Sequence, residues 1–142
     1  MESKMEFYSE LNKRRKELLE KRMFSSNCAG TALYLVGERG VDLYTPREIA
    51  EMILNRLTQA KSSELGYLAS WESNGETFHL AVVVNKNPLK LAEREGYKGP
   101  FNPSKSFTQI TEGYSFWKEG DEVKYYIPSK LQKILEKEGE LK

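Results

Sequence analysis

The chain has 142 residues, 39% of them hydrophobic and 30% charged, and its 22 Lys+Arg against 21 Asp+Glu leave a net charge of +1. That length suits one domain with its own core, and the composition excludes a disordered chain. The balanced charge argues against a dedicated nucleic-acid binder, whose affinity rests on clustered positive charge.

No apolar run approaches the ~20 residues of a bilayer span, so no membrane partner is expected. The start, MESKMEFYSELNKRRK, lacks the apolar stretch of a signal peptide, which predicts a cytoplasmic protein. One cysteine and one histidine exclude an internal disulfide and a cysteine-rich metal site. HExxH, CxxC, GxGxxG and GxxxxGK[ST] are all missing, and neither a metal nor a cofactor is implied. Oligomeric state is left open.

Residues 1–24 read as a helical N-terminal extension. Helix formers fill 4–23, with Phe7, Leu11, Leu18 and Leu19 as a partial apolar stripe. The Lys13-Arg14-Arg15-Lys16 run is either a phosphate-binding patch or, as read here, a solvated face. Ser25, Ser26 and Asn27 offer caps for a short buried helix, CAGTALYLVG, ending near Gly37 or Gly40. YTPREIAEMILNRL follows. In it Thr45 reads as N-cap, Pro46 as the first helical residue and Glu48 as the closing member of a capping box. Tyr44 and Ile49 fall at staple positions, and Ile49, Met52, Ile53 and Leu57 form the expected buried stripe.

After Lys61 the hydrophobic period changes to two. Strands are predicted over 65–72 and 77–85, joined by the Ser73-Asn74-Gly75 turn. Three prolines and two glycines make 86–106 read mainly as loop, with at most a helical turn at 89–95. Further strands are predicted over 107–110, 114–118 and 122–127, with Glu119-Gly120-Asp121 as a tight turn. Ser129 and Gln132 suggest a capping box opening a helix to about Glu138. The result is one α+β domain: helices, then an antiparallel sheet at the centre of a core over 25–127, then a closing helix within 128–142. Tyr114, Phe116, Trp117, Tyr125 and Tyr126 are read as core, with a partner surface as the alternative.

Chemistry is carried by Cys28 and His79. Cys28 falls in the first turn of its helix, where the macrodipole and unpaired N–H groups favour a thiolate and can donate to an oxyanion. Alone, it reads more readily as a buried structural cysteine. His79 opens the strand HLAVVV and shares a face with Ala81 and Val83, a face expected to pack on a helix. There an imidazole can act as general base to a facing thiol, or can simply begin a strand.

Taken together, Asn27-Cys28-Ala29-Gly30 and His79-Leu80-Ala81-Val82 resemble the papain-like cysteine hydrolase superfamily. The likeness is to its small NlpC/P60 and transglutaminase-like families, in order of elements over roughly 25–127. NlpC/P60 proteins carry Asp-Cys-Ser-Gly and His-x-Gly-[Ile/Val] at these places. Here Asn27 stands for the Asp, and alanines stand for the Ser and the Gly.

The resemblance implies a thiol-dependent hydrolase or acyltransferase on amide or peptide bonds, with Cys28 as nucleophile, His79 as base and a peptide or amide-containing substrate. The alternative is a non-catalytic binding or adaptor module on the same fold. The third group, which orients His79, is expected to be Asn102, because GPFNPS resembles the Phe-Asp-Pro-Thr stretch of transglutaminase-like enzymes. Gln109, on the predicted strand 107–110, is the alternative, and Glu93 and Glu95 are expected to face solvent.

Overall fold

The computed structural model describes residues 2–20, 26–114 and 120–140. Helix α1 (Lys4–Glu20) buries Phe7, Leu11 and Leu18 and leaves Leu19 in water. Residues 21–23 of the predicted helix lie outside the described segments. The basic run is not simply solvated. Arg14 donates to the Tyr34 carbonyl and lies 4.7 Å over the Tyr34 ring, while Arg15 Nη2 donates to the Pro103 carbonyl at 2.6 Å. Lys13 and Lys16 remain exposed.

Helix α2 (Cys28–Leu35) is capped by Asn27, whose Oδ1 accepts from Gly30 N at 2.9 Å, and is followed by Gly37 at φ +82°. Helix α3 (Arg47–Asn55) departs from its sequence signals. Asn27 also holds residue 45, accepting from its N–H at 3.0 Å and donating to its carbonyl at 2.8 Å. Thr45 is thereby drawn into the cap of α2. Its hydroxyl donates to the Leu43 carbonyl, Pro46 becomes the N-cap, and the expected capping box does not form. The stripe turns in part: Ile53 and Leu57 pack half-buried against the core and Ala50 and Leu54 are buried, while Ile49 and Met52 are exposed.

The strands are β1 (Thr58–Ala60), β2 (Leu68–Ser73), β3 (Glu76–Asn85), β4 (Lys90–Arg94) and β5 (Phe101–Ser106); then come helix α4 (Phe107–Glu112), β6 (Glu122–Ile127) and α5 (Ser129–Lys137). The predicted hairpin forms as β2–β3, with Asn74 at φ 53° and Gly75 at φ 78°, as a type I′ turn requires. All pairings are antiparallel, in the order β1-β6-β2-β3-β4-β5. The architecture is therefore α+β.

Two predicted elements are corrected. The segment 86–106 holds the β4–β5 hairpin, whose Pro103 is tolerated because β5 is an edge strand with no neighbour on its outer side. Residues 107–110 are helical rather than extended: Ser106 Oγ accepts from Gln109 N at 3.1 Å and caps α4. Of the strand expected over 114–118, only Tyr114 is described, and it lies outside any element. Glu119 of the predicted turn likewise falls outside the described segments. At α5 the expected capping box is replaced by a tertiary anchor, with Ser129 N and Oγ donating to the Glu38 carboxylate at 2.6 and 3.0 Å.

Helices α1, α2, α3 and α5 contribute to one core together with Leu68, Leu80, Val82 and Ala92. On the other face, Ala69, Trp71, Ala81, Val83 and Leu91 pack with Ile110 of α4. Phe7, Leu11 and Leu18 build α1 into the first core. None of the described helices is long and apolar enough to cross a membrane.

Two contacts fix α2. Arg94 of β4, buried, donates to Thr31 Oγ1 at 2.7 Å and pairs with Asp42 Oδ2 at 3.0 Å. Gly30 lets the Leu43 backbone approach so closely that a Cβ there would lie 1.9 Å from the Leu43 oxygen. Gly30→Ala is therefore expected to destabilise the fold by roughly 3 kcal/mol or more, read as a lower urea midpoint at unchanged m-value.

Candidate active site

Cys28 is the first residue of α2, and its position follows from the strands beneath. The last paired residues of β3 and β4 towards the site are Val82 and Ala92, and α2 packs on both strands. The thiol meets the backbone N–H groups of Leu80 and Ala29 and the imidazole of His79.

His79 shares its face with Ala81 and Val83 as expected, but that face turns towards α4 rather than α2. The ring lies 5.1 Å from Trp71 and 5.1 Å from Tyr114, centroid to centroid. Trp71 is itself held by α4, donating from Nε1 to Thr111 Oγ1 at 3.0 Å. The imidazole is 1% exposed and almost surrounded.

On the far side of the ring, Nε2 stands 3.2 Å from Glu93 Oε1. The N–H is poorly aligned with that oxygen, so the contact is an ion pair before it is a hydrogen bond. This use of Nε2 leaves Nδ1 for the thiol. Glu93 is only 2% exposed. Its partner across the β4–β5 hairpin is Asn102, whose Nδ2 donates to Glu93 Oε2 and, at 2.8 Å, to Glu95 Oε2.

The third position therefore differs from expectation. Glu93, not Asn102, touches His79, and Asn102 stands one step behind it. Gln109 is exposed on α4. Glu95 faces water as expected; Glu93 does not. The signal that would have found it is the alternation in KLAER, which puts Leu91 and Glu93 on one face of a strand.

The electrostatics of the three groups are mutually dependent. Burial works to raise the Cys28 thiol, but the hydrogen bond and charge of His79, with the Leu80 and Ala29 N–H groups, hold it below its ordinary value. Burial works to lower His79, and its contacts with Cys28 and Glu93 outweigh that and raise it. Burial likewise opposes ionisation of Glu93, while His79 and Asn102 keep its carboxyl below the usual range. All three shifts favour a thiolate–imidazolium pair backed by a carboxylate.

The group opens onto a cleft of about 280 Å³ lined by Cys28, His79, Tyr44, Arg47 and Phe78 among others. Hollows of about 260 Å³ beside α1 and about 300 Å³ between α3 and β6 contain neither a thiol nor an imidazole. Among the described residues, no three His, Cys, Asp or Glu side chains converge to hold a metal ion. Cys28 N–H, at the first helical position, has no acceptor within its own helix, and Cys28 lines the cleft. Comparison with protein-family models, with curated proteins and with solved structures found no match to this chain.

Proposed function

We propose that this protein is a thiol-dependent hydrolase or acyltransferase acting on amide or peptide bonds. The observation that carries the reading is the buried Cys28–His79–Glu93 chain opening into a cleft at the start of a helix. The resemblance of the Cys28 and His79 motifs to NlpC/P60 and transglutaminase-like enzymes supports the same chemistry.

Cys28 Sγ, as thiolate, attacks the acyl carbon, and the developing oxyanion takes the Cys28 N–H. The C–N bond then breaks, and His79 gives its proton to the leaving amine. Neutral His79 next accepts a proton from water, or from another acceptor nucleophile, as that group attacks the thioester and releases Cys28. Glu93 orients the imidazole through Nε2 and steadies its charge.

An activated ester tests this without knowledge of the natural substrate. With p-nitrophenyl acetate the protein is expected to release one equivalent of nitrophenolate in a burst and to gain an acetyl group on Cys28 by peptide mass. Acetylation no faster than that of glutathione at the same pH would rule the reading out.

A further inference from the structure

The hairpin loop between β4 and β5 is built with unusual rigidity for a surface turn. Glu95 N donates to the Pro100 carbonyl at 3.0 Å, Arg94 Nη1 to the Gly99 carbonyl at 2.9 Å, and Lys98 N to the Ser26 carbonyl at 2.9 Å. Gly99 sits where a Cβ would lie 1.5 Å from the Glu95 oxygen, and Lys98 adopts φ 60°, a conformation costly for a residue with a side chain.

What this loop holds out is Tyr97. It is 59% exposed, with its ring in edge contact with Tyr44 at 5.3 Å. Tyr44 is 50% exposed and lines the Cys28 cleft. The loop is thus tied to the segment that carries Cys28, and it sets the half-bare Tyr97 ring beside the half-bare Tyr44 ring that lines the cleft. Val41, Leu43, Ile49 and Met52 add exposed apolar surface along the same stretch of chain.

Charge at this rim is already matched. Arg47, which also lines the cleft, pairs with Glu76 at 3.1 Å. Lys98 Nζ stands 5.2 Å over one face of the Tyr97 ring, and the edge contact between Tyr44 and Tyr97 leaves aromatic surface on the pair for further packing.

Resting on the catalytic reading above, we infer that Tyr44 and Tyr97 form a substrate subsite for a bulky apolar side chain beside the scissile bond. The substrate class is then a polypeptide carrying an aromatic or large aliphatic residue next to the amide that reaches Cys28.

Two iodoacetamides test the subsite in any direction from the sulfur, N-phenethyl and N-methyl. In each the thiolate forms a C–S bond and iodide leaves, so the two differ only in the appended group. The phenethyl-to-methyl rate ratio at Cys28, divided by that of glutathione, is expected to be about fivefold or more. It should fall to one in Tyr44→Ala and in Tyr97→Ala, and survive in Tyr97→Phe, which keeps the ring. A ratio of one in the native protein, or one that persists in both alanine variants, overturns the subsite. Cys28 reacting no faster than glutathione with the methyl reagent at pH 6 identifies the other failure, that of the catalytic reading, and takes the subsite with it.

Discussion

His79→Ala is expected to slow alkylation of Cys28 at pH 6 by on the order of tenfold or more, a rate set by the thiolate fraction. The direction follows from the balance at the sulfur. Burial opposes the thiolate, and His79 supplies the leading contributions that overcome it. Removing the imidazole leaves the burial, so the thiol should move from below its ordinary value to at or above it.

On the proposed reading the ion pair should occupy a defined window of pH. Its acid edge is the depressed ionisation of Cys28, and its alkaline edge is the raised ionisation of His79. Acylation should follow a bell between those edges, rising as the thiolate forms and falling as His79 loses the proton the leaving group needs. Stopped-flow alkylation across pH 4–10 would check the acid edge, and the pH profile of acylation by an anilide, whose amine must be protonated to leave, would check the alkaline edge. A titration of Cys28 unchanged by His79→Ala defeats the pairing.

Glu93→Gln is expected to lower the acylation rate by on the order of a hundredfold, because an outer partner of a catalytic imidazole fixes its tautomer. The reason lies in the direction of each hydrogen bond. Asn102 Nδ2 donates to both Glu93 and Glu95, so Glu93 must present an acceptor to Asn102 as well as to His79. Glutamine has one acceptor and one donor end. Turned with its oxygen to Asn102, it aims its N–H at His79 Nε2 and forces the imidazole proton onto Nδ1, where the thiol proton should go.

The double variant Glu93→Gln with Asn102→Ala removes that constraint. It should recover part of the lost rate although it carries one more substitution, a non-additivity that a burst-rate comparison reads directly. Wild-type rates in Glu93→Gln alone would exclude Glu93 as the orienting group.

Much of the molecule was legible in local signals. Asn74-Gly75 forced its hairpin, and the Ser26-Asn27 cap placed Cys28 at the start of α2. The alternation 79–83 put His79 on the same face as Ala81 and Val83. Misreadings arose where tertiary partners overrode local chemistry. Thr45 looks like an N-cap, but Asn27 holds both of its backbone polar groups. Ser129 likewise gives its donors to Glu38 rather than closing a capping box. Ile49 and Met52 carry the helical period, yet the packed side of α3 is the one that holds Ala50 and Leu54. Glu93 was hidden for a different reason. Prolines and glycines mark 86–106 as loop, and nothing local says that an edge strand can carry Pro103 while its neighbour turns a carboxylate inward.

β4 carries consecutive residues with opposite assignments. Glu93 points to one side of the sheet and contacts the imidazole, while Arg94 points to the other and grips Thr31 and Asp42 around the nucleophile-bearing helix. One strand is therefore the common ruler for base and nucleophile. A slip of one residue along it would exchange the two sides, offering a guanidinium to His79 and a carboxylate to Asp42. Assembly of the reactive pair is thus all-or-none with docking of this strand. On the proposed reading, until it docks in register the chain carries an ordinary cysteine, spared the side reactions of a standing thiolate.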